Sequence, residues 1–229
     1  MKYVITFLQL VCVFLFAKDV KINLMIELRN SDVLKVASQA ILVLGENMTN
    51  RDVRVFLMEK NNGEWHLITN FPATIGKNGF AEIDTKREGD GKTPSGIFAI
   101  GFTFGYAEKA TTKMPYRQAT TNDFWVDDVS SPLYNQWVRG KPDAKSMEKM
   151  RRSDHLYKWG VVIEYNTSPI IAGKGSAIFF HVWRKPYSPT TGCIALSEEN
   201  ILYILKWLDP DKKPVAIMGT EEELKKLRG

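Results

Sequence analysis

The chain is predicted to be mainly β, with a few helices and no alternation of strand and helix. Three observations predict this. From Gln39 onward the sequence breaks into short apolar runs rich in valine, isoleucine and aromatics. Turn-forming residues separate them, most clearly Asn61-Asn62-Gly63 between two strand-like runs. Only one long segment carries a clear helical stripe, so the pattern is not that of a βαβ chain.

The elements follow in order. Leu24 to Ser38 is predicted as a helix, with Leu24, Ile26, Leu28, Val33, Leu34 and Val36 loosely periodic. Ala40–Gly45 (AILVLG) is a strand, and DVRVFLMEK and EWHLITNF flank the hairpin signal. Gly96–Gly105, Gly160–Asn166 and Ser176–Trp183 are further strands, the last two apolar enough for the core. Ser197 is placed to cap a helix whose first turn holds Glu198 and Glu199. Its stripe is Ile201, Leu202, Ile204, Leu205 and Leu208, and Asp209-Pro210 stops it. Pro214–Gly219 returns as a strand, and Glu221–Arg228 is a short charged helix. Between Tyr106 and Trp159 the pattern dissolves into aromatics and polar residues, as in a functional lid or a set of short hidden helices.

The N-terminus reads as an export signal. Lys2 precedes an apolar run from Val4 to Ala17, shorter than the about 20 residues a membrane span takes. Leu15 departs from the usual small residue of a cleavage site, and Val11 before Cys12 argues against lipidation. Residues 1–17 are therefore expected to be a signal peptide, 18–38 an N-terminal segment and 39–229 a single domain in the periplasm or cell envelope. The net charge of the whole chain is +5, enough for transient association with an anionic wall surface. No lysine or arginine run is dense enough to argue for nucleic acid.

Cysteine use is more informative. The two cysteines are Cys12 and Cys193, so removal of residues 1–17 leaves Cys193 alone in an oxidising compartment. A single exported cysteine is an intermolecular bridge, a buried inert side chain or a reactive thiol. Cys193 follows Gly192 and lies twelve positions after His181, at the far end of a loop stiffened by Pro186 and Pro189. A hairpin-like return would bring the two onto neighbouring strands, and the backbone at Gly192 and Cys193 could face an attacked carbonyl. An imidazole beside the thiol would hold it as a thiolate in an ion pair. Zinc takes three or four ligands, and neither His66 nor His155 has ligand spacing to Cys193, so no metal is expected. The order, histidine before cysteine at short range, is the reverse of papain-like proteases.

The segment GSAIFFHVW…PTTGCIAL resembles the catalytic stretch of the L,D-transpeptidase (YkuD-like) domain family. DTKREGDGKTPSGIFAIG resembles that family's Thr-Pro-x-Gly-x-Phe stretch, and MPYRQATTNDFWVDD with SSPLYNQWV resembles a branch with a long insertion near the active site. The resemblance spans roughly Ala40 to Gly219 and implies an L,D-transpeptidase-like β-sandwich. It implies Cys193 as nucleophile, His181 as general base and Gly192 as part of the oxyanion site, acting on peptidoglycan stem peptides without a cofactor. Two positions depart from the commonest pattern: Thr191 replaces a histidine and Ala195 replaces an arginine. Substrate-carboxylate recognition then falls to Arg117, Arg139, Arg184 or Lys185. Thr191, Tyr116, Trp125, Tyr134 and Asn135 are expected on the substrate cleft; Thr93, Ser95 and Asp154-His155 are expected to shape turns. The outcome could be transpeptidation, L,D-carboxypeptidase trimming, or wall binding without catalysis.

Overall fold

A computed structural model describes residues 23–28 and 31–227. The expected signal at residues 1–17, with Cys12, lies outside the described residues. Residues 23–27 are helical, and a second helix, α1, spans Asp32–Val36. The single helix expected here is thus two short pieces. Leu24, Leu28 and Leu34 are buried while Ile26, Val33 and Val36 are exposed.

The principal sheet has nine strands. β1 (Gln39–Gly45), β2 (Asp52–Asn61) and β3 (Glu64–Thr74) form an antiparallel meander. Asn62 and Gly63 both take positive φ in the β2–β3 turn, as the Asn-Asn-Gly signal requires. β4 (Phe80–Ala81) and β5 (Thr93–Pro94) pair with each other, and β6 (Gly96–Gly105) follows. After β7 (Tyr116–Gln118) come β8 (Asp123–Val126), β9 (Trp137–Arg139) and β10 (Met147–Lys149), then β11 (Trp159–Ile163), β12 (Phe179–Val182) and β13 (Ile194–Leu196). Helix α2 (Glu198–Trp207) and β14 (Val215–Thr220) precede the last helix, α3 (Glu221–Lys225). The strand order is β11-β12-β13-β3-β2-β1-β14-β6-β7, and β11 also pairs with β6. That extra pairing closes the sheet on itself and gives the mainly β, sandwich-like body the sequence predicts.

Period-2 alternation sorts the side chains. On β1, Ile41 and Val43 enter one core cluster with Val55, Leu57, Ala216 and Met218. Ala40 and Leu42 enter a second with Phe56, Met58, Ile217 and the N-terminal Leu24, Leu28 and Leu34. Both faces of β1 and β14 are covered, which explains their continuous apolar runs. Ser197 caps α2 by accepting the Asn200 N–H at 3.2 Å. α2 sends Ile201, Ile204 and Leu205 into the first cluster; Leu202, expected on that stripe, is exposed.

The Tyr106–Trp159 stretch hides strands rather than helices. β10, β8 and β9 make a separate three-stranded sheet. Asp123 organises it, accepting from Thr120 N–H (2.8 Å) and hydroxyl (2.6 Å), Trp137 Nε1 (3.0 Å) and Arg139 Nε (3.1 Å). Burial raises its carboxyl, but those hydrogen bonds outweigh burial and hold it down at about 2. A segment read as irregular is short strands stitched by side chains, which leaves little periodicity to read.

Candidate active site

His181 and Cys193 belong to adjacent strands, as expected, but the strands run parallel. Phe180, His181 and Val182 of β12 pair with Ile194, Ala195 and Leu196. The intervening loop is a crossover rather than a hairpin. It is tied to the body at its end: Thr190 N–H donates to Ile75 O at 3.0 Å, and Thr190 O accepts Lys77 N–H at 2.9 Å.

Alternation then decides which side chains share a face. Phe180 and Ile194 enter the first core cluster. Phe179 and Cys193 enter a third, aromatic cluster with Phe104, Trp125 and Tyr157. His181 and Cys193 open on one cavity of about 520 Å³, also lined by Glu148, Arg152, Tyr157, Arg184, Thr191 and Ala195. Only 5% of His181 and 6% of Cys193 is exposed, so both side chains sit at the cavity floor.

The two groups are held by backbone. His181 Nδ1 lies 2.8 Å from Val182 O, and a carbonyl can only accept. Nδ1 therefore carries the hydrogen and Nε2 keeps its lone pair, the tautomer a general base needs. Cys193 Sγ donates to Ala177 O at 3.0 Å and accepts the Phe179 N–H at 3.4 Å. Burial drives both groups towards neutrality: it pulls His181 down to about 4 and pushes the Cys193 thiol well up. Both directions favour the neutral thiol and imidazole over the expected thiolate–imidazolium ion pair. The Glu148 carboxylate raises the thiol further, while the Phe179 N–H, Lys86 and Arg152 act against it.

Gly192 sits at φ +154, and a Cβ there would meet Lys92 O at 3.0 Å. Its N–H, expected to face the substrate carbonyl, donates instead to Thr190 Oγ1 at 3.1 Å, while Thr190 Oγ1 donates to Cys193 O at 2.6 Å. Buried Thr93 donates to Gly192 O at 2.7 Å, which joins the Thr-Pro segment to the cysteine turn.

The far wall is charged. Arg152 pairs with Asp154 (2.8 Å) and approaches Glu148 (3.9 Å), and Arg184 pairs with Asp154 (3.1 Å). Tyr157 packs edge-on against His181 with ring centroids 5.4 Å apart and donates its hydroxyl to Glu148. Burial raises the Glu148 carboxyl. Of the cationic candidates, Arg184 reaches the cavity. Arg117 lies over the rings of Phe102 and Trp137, Arg139 is bound to Asp123, and Lys185 is not among the lining residues.

Thr191 is on the cavity, but Tyr116, Trp125, Tyr134 and Asn135, expected on the cleft, are not among its lining side chains. Tyr116 donates to Ala107 O at 2.6 Å. Trp125, Tyr134 and Asn135 are buried and bonded to other protein groups. His155 occupies a turn at φ 60. Sequence reasoning missed Glu148, Arg152 and Tyr157. The one available signal was the position of Tyr157, just before the strand that neighbours His181. Among the described residues, no group of three or more histidine, cysteine, aspartate or glutamate side chains is placed to hold a metal ion.

A family model described as YkuD, the L,D-transpeptidase catalytic domain, matches residues 48–217. No curated protein matches. Among solved structures, one titled "Structure of Bdellovibrio bacteriovorus Bd1075" is similar with a TM-score of 0.42 and 14% identity, covering 85% of this chain and 54% of that one. The chain thus spans about half the length of that structure.

Proposed function

The chain belongs to the L,D-transpeptidase catalytic-domain family, and we propose that it is an exported, cysteine-dependent acyltransferase acting on peptidoglycan stem peptides. One observation carries this reading: a histidine whose Nε2 keeps its lone pair and a buried thiol open on the same cavity, which two guanidinium groups also line.

In the proposed reaction, Cys193 Sγ attacks the carbonyl of the third stem residue, the L-centre of a diamino acid. His181 Nε2 takes the thiol proton as the carbon–sulfur bond forms, since both groups start neutral. The imidazolium returns that proton to the nitrogen of the terminal D-amino acid as the peptide bond breaks. An acyl-thioester remains on Cys193. An amine of a second stem then attacks it, loses its proton to His181, and releases the sulfur, which is reprotonated. The Cys193 and Gly192 backbone is assigned to the oxyanion; Gly192 N–H must leave Thr190 Oγ1 to take part. Arg152 and Arg184 are assigned to the substrate carboxylate, in place of the arginine missing at Ala195.

Water as acceptor would make the same site an L,D-carboxypeptidase. Incubation with purified muropeptides and mass analysis tests both outcomes. Loss of the terminal D-residue with new dimers indicates transfer to an amine; loss with free tripeptide stems indicates water. Unchanged muropeptides, or processing by Cys193→Ala, would refute the assignment and favour a wall-binding module.

A further inference from the structure

The segment leading into β12 is clamped from behind. Ala177 takes φ 54, a left-handed conformation that a residue with a Cβ adopts only when its surroundings hold it there. The clamp is Asn135. Its Oδ1 accepts the Ala177 N–H at 3.1 Å and the Trp125 Nε1–H at 2.9 Å. Its Nδ2 donates to Tyr165 O at 3.0 Å and Asn166 O at 2.8 Å. Both amide hydrogens and both acceptor positions are used, so this side chain has nothing left for a substrate. Asn135 is itself at φ 56, a conformation asparagine tolerates better than most residues.

One residue's backbone connects this clamp to the sulfur. The Ala177 N–H faces Asn135 and the Ala177 carbonyl accepts the Cys193 S–H at 3.0 Å. Phe179 N–H, two residues on, reaches the same sulfur. The preceding turn is fixed too: Gly175 N–H donates to Tyr134 hydroxyl at 3.0 Å, and Tyr134 and Ser176 both donate to Glu88.

We propose that Asn135 and Trp125 are positioning residues for the Cys193 nucleophile: they fix the strained Ala177 peptide so that its carbonyl holds the S–H and sets where the sulfur lies before attack. Neither touches substrate. The proposal rests on the functional reading above for its kinetic consequence, but not for the hydrogen bond itself. When His181 takes the proton, Ala177 O loses its donor and turns from attractive to repulsive towards the sulfur, while Phe179 N–H stays attractive. The sulfur is then released from the carbonyl on one side only, which gives its motion a direction.

The test uses the full chain with Cys12→Ser, so that Cys193 alone contributes an S–H stretch. Infrared spectra, kcat and KM on a tetrapeptide stem, iodoacetamide alkylation and melting temperature are compared for this parent, Trp125→Phe and Asn135→Ala. Trp125→Phe keeps a ring against Phe179 and removes only the donor. The expected result is an S–H band moved to higher wavenumber in both variants. kcat should fall about threefold in Trp125→Phe and about tenfold in Asn135→Ala, with KM within about twofold. An unmoved band in either folded variant overturns the proposal. A moved band with unchanged kcat, or a loss confined to KM, overturns the positioning role. Should Asn135→Ala fail to fold, Trp125→Phe decides alone. Should the parent process no stem peptide, the functional reading fails, and the band and the alkylation rate still judge the clamp.

Discussion

The two walls of the cavity are built differently. The floor, from β12 and β13, presents a thiol and an imidazole gripped by backbone groups and pushed towards neutrality by burial. The opposite wall, from the insertion and the loop after β12, presents Glu148, Arg152, Asp154 and Arg184, partly open to water and paired with one another. On the proposed reading, a neutral floor lets the proton move only as the bond to substrate forms. On the proposed reading the guanidinium groups of the far wall select an anionic substrate, while Glu148 and Arg152 also act on the sulfur, in opposite directions. The difference teaches that, on the proposed reading, reactivity sits on the paired strands β12 and β13 and recognition on the insertion and a loop.

The walls also differed in how far they could be read from the chain. The floor was legible because strands impose period 2: an apolar run containing His181 and a Gly-Cys pair opening another run place both side chains by pattern. Its details were not. Parallel pairing depends on Thr190 meeting Ile75 and Lys77, more than a hundred positions away. The neutral resting state depends on desolvation, which appears only once the third core cluster closes around the sulfur. The far wall was nearly invisible, because Glu148 and Arg152 lie in a charged stretch like any solvated surface. Trp125, Tyr134 and Asn135 were conspicuous in sequence for the right region, but they support the floor from behind.

If the floor carries the chemistry, changes there should be the most severe. Cys193→Ala is expected to remove turnover entirely, because no acyl-thioester can form. His181→Ala should cost about 10²- to 10⁴-fold in kcat on stem peptides, the usual range for a lost general base. Measurable turnover by Cys193→Ala would move the chemistry off the floor.

The neutral imidazole has a stability consequence. Unfolded histidine titrates near 6.5, and His181 is held at about 4, mainly by burial. Between those values the unfolded chain binds the extra proton, so stability present above about pH 6.5 is lost as pH falls towards 4. The loss is on the order of 3 kcal/mol. Urea unfolding at pH 7 and pH 4.5 should show it in wild type and show a smaller drop in His181→Gln. Asp123 and Asp154, both held at about 2, act in a separate and more acidic window. Equal drops in wild type and His181→Gln would mean that His181 is charged in the folded protein.

On the far wall, Arg152→Ala should raise KM about tenfold with kcat changed about threefold or less, if this partly exposed guanidinium holds the substrate carboxylate in ground and transition states alike, as proposed. A kcat loss as large as that of His181→Ala would erase the distinction between the walls.

The neutral resting pair can be tested directly by the rate of iodoacetamide alkylation from pH 5 to pH 10, in the Cys12→Ser chain and in the same chain with His181→Ala. Alkylation follows the thiolate. The expected result is a rate that climbs through pH 9 without a plateau in both proteins. A plateau reached near pH 6 to 7 in the first and absent from the second would establish a resting thiolate–imidazolium pair and contradict the neutral floor.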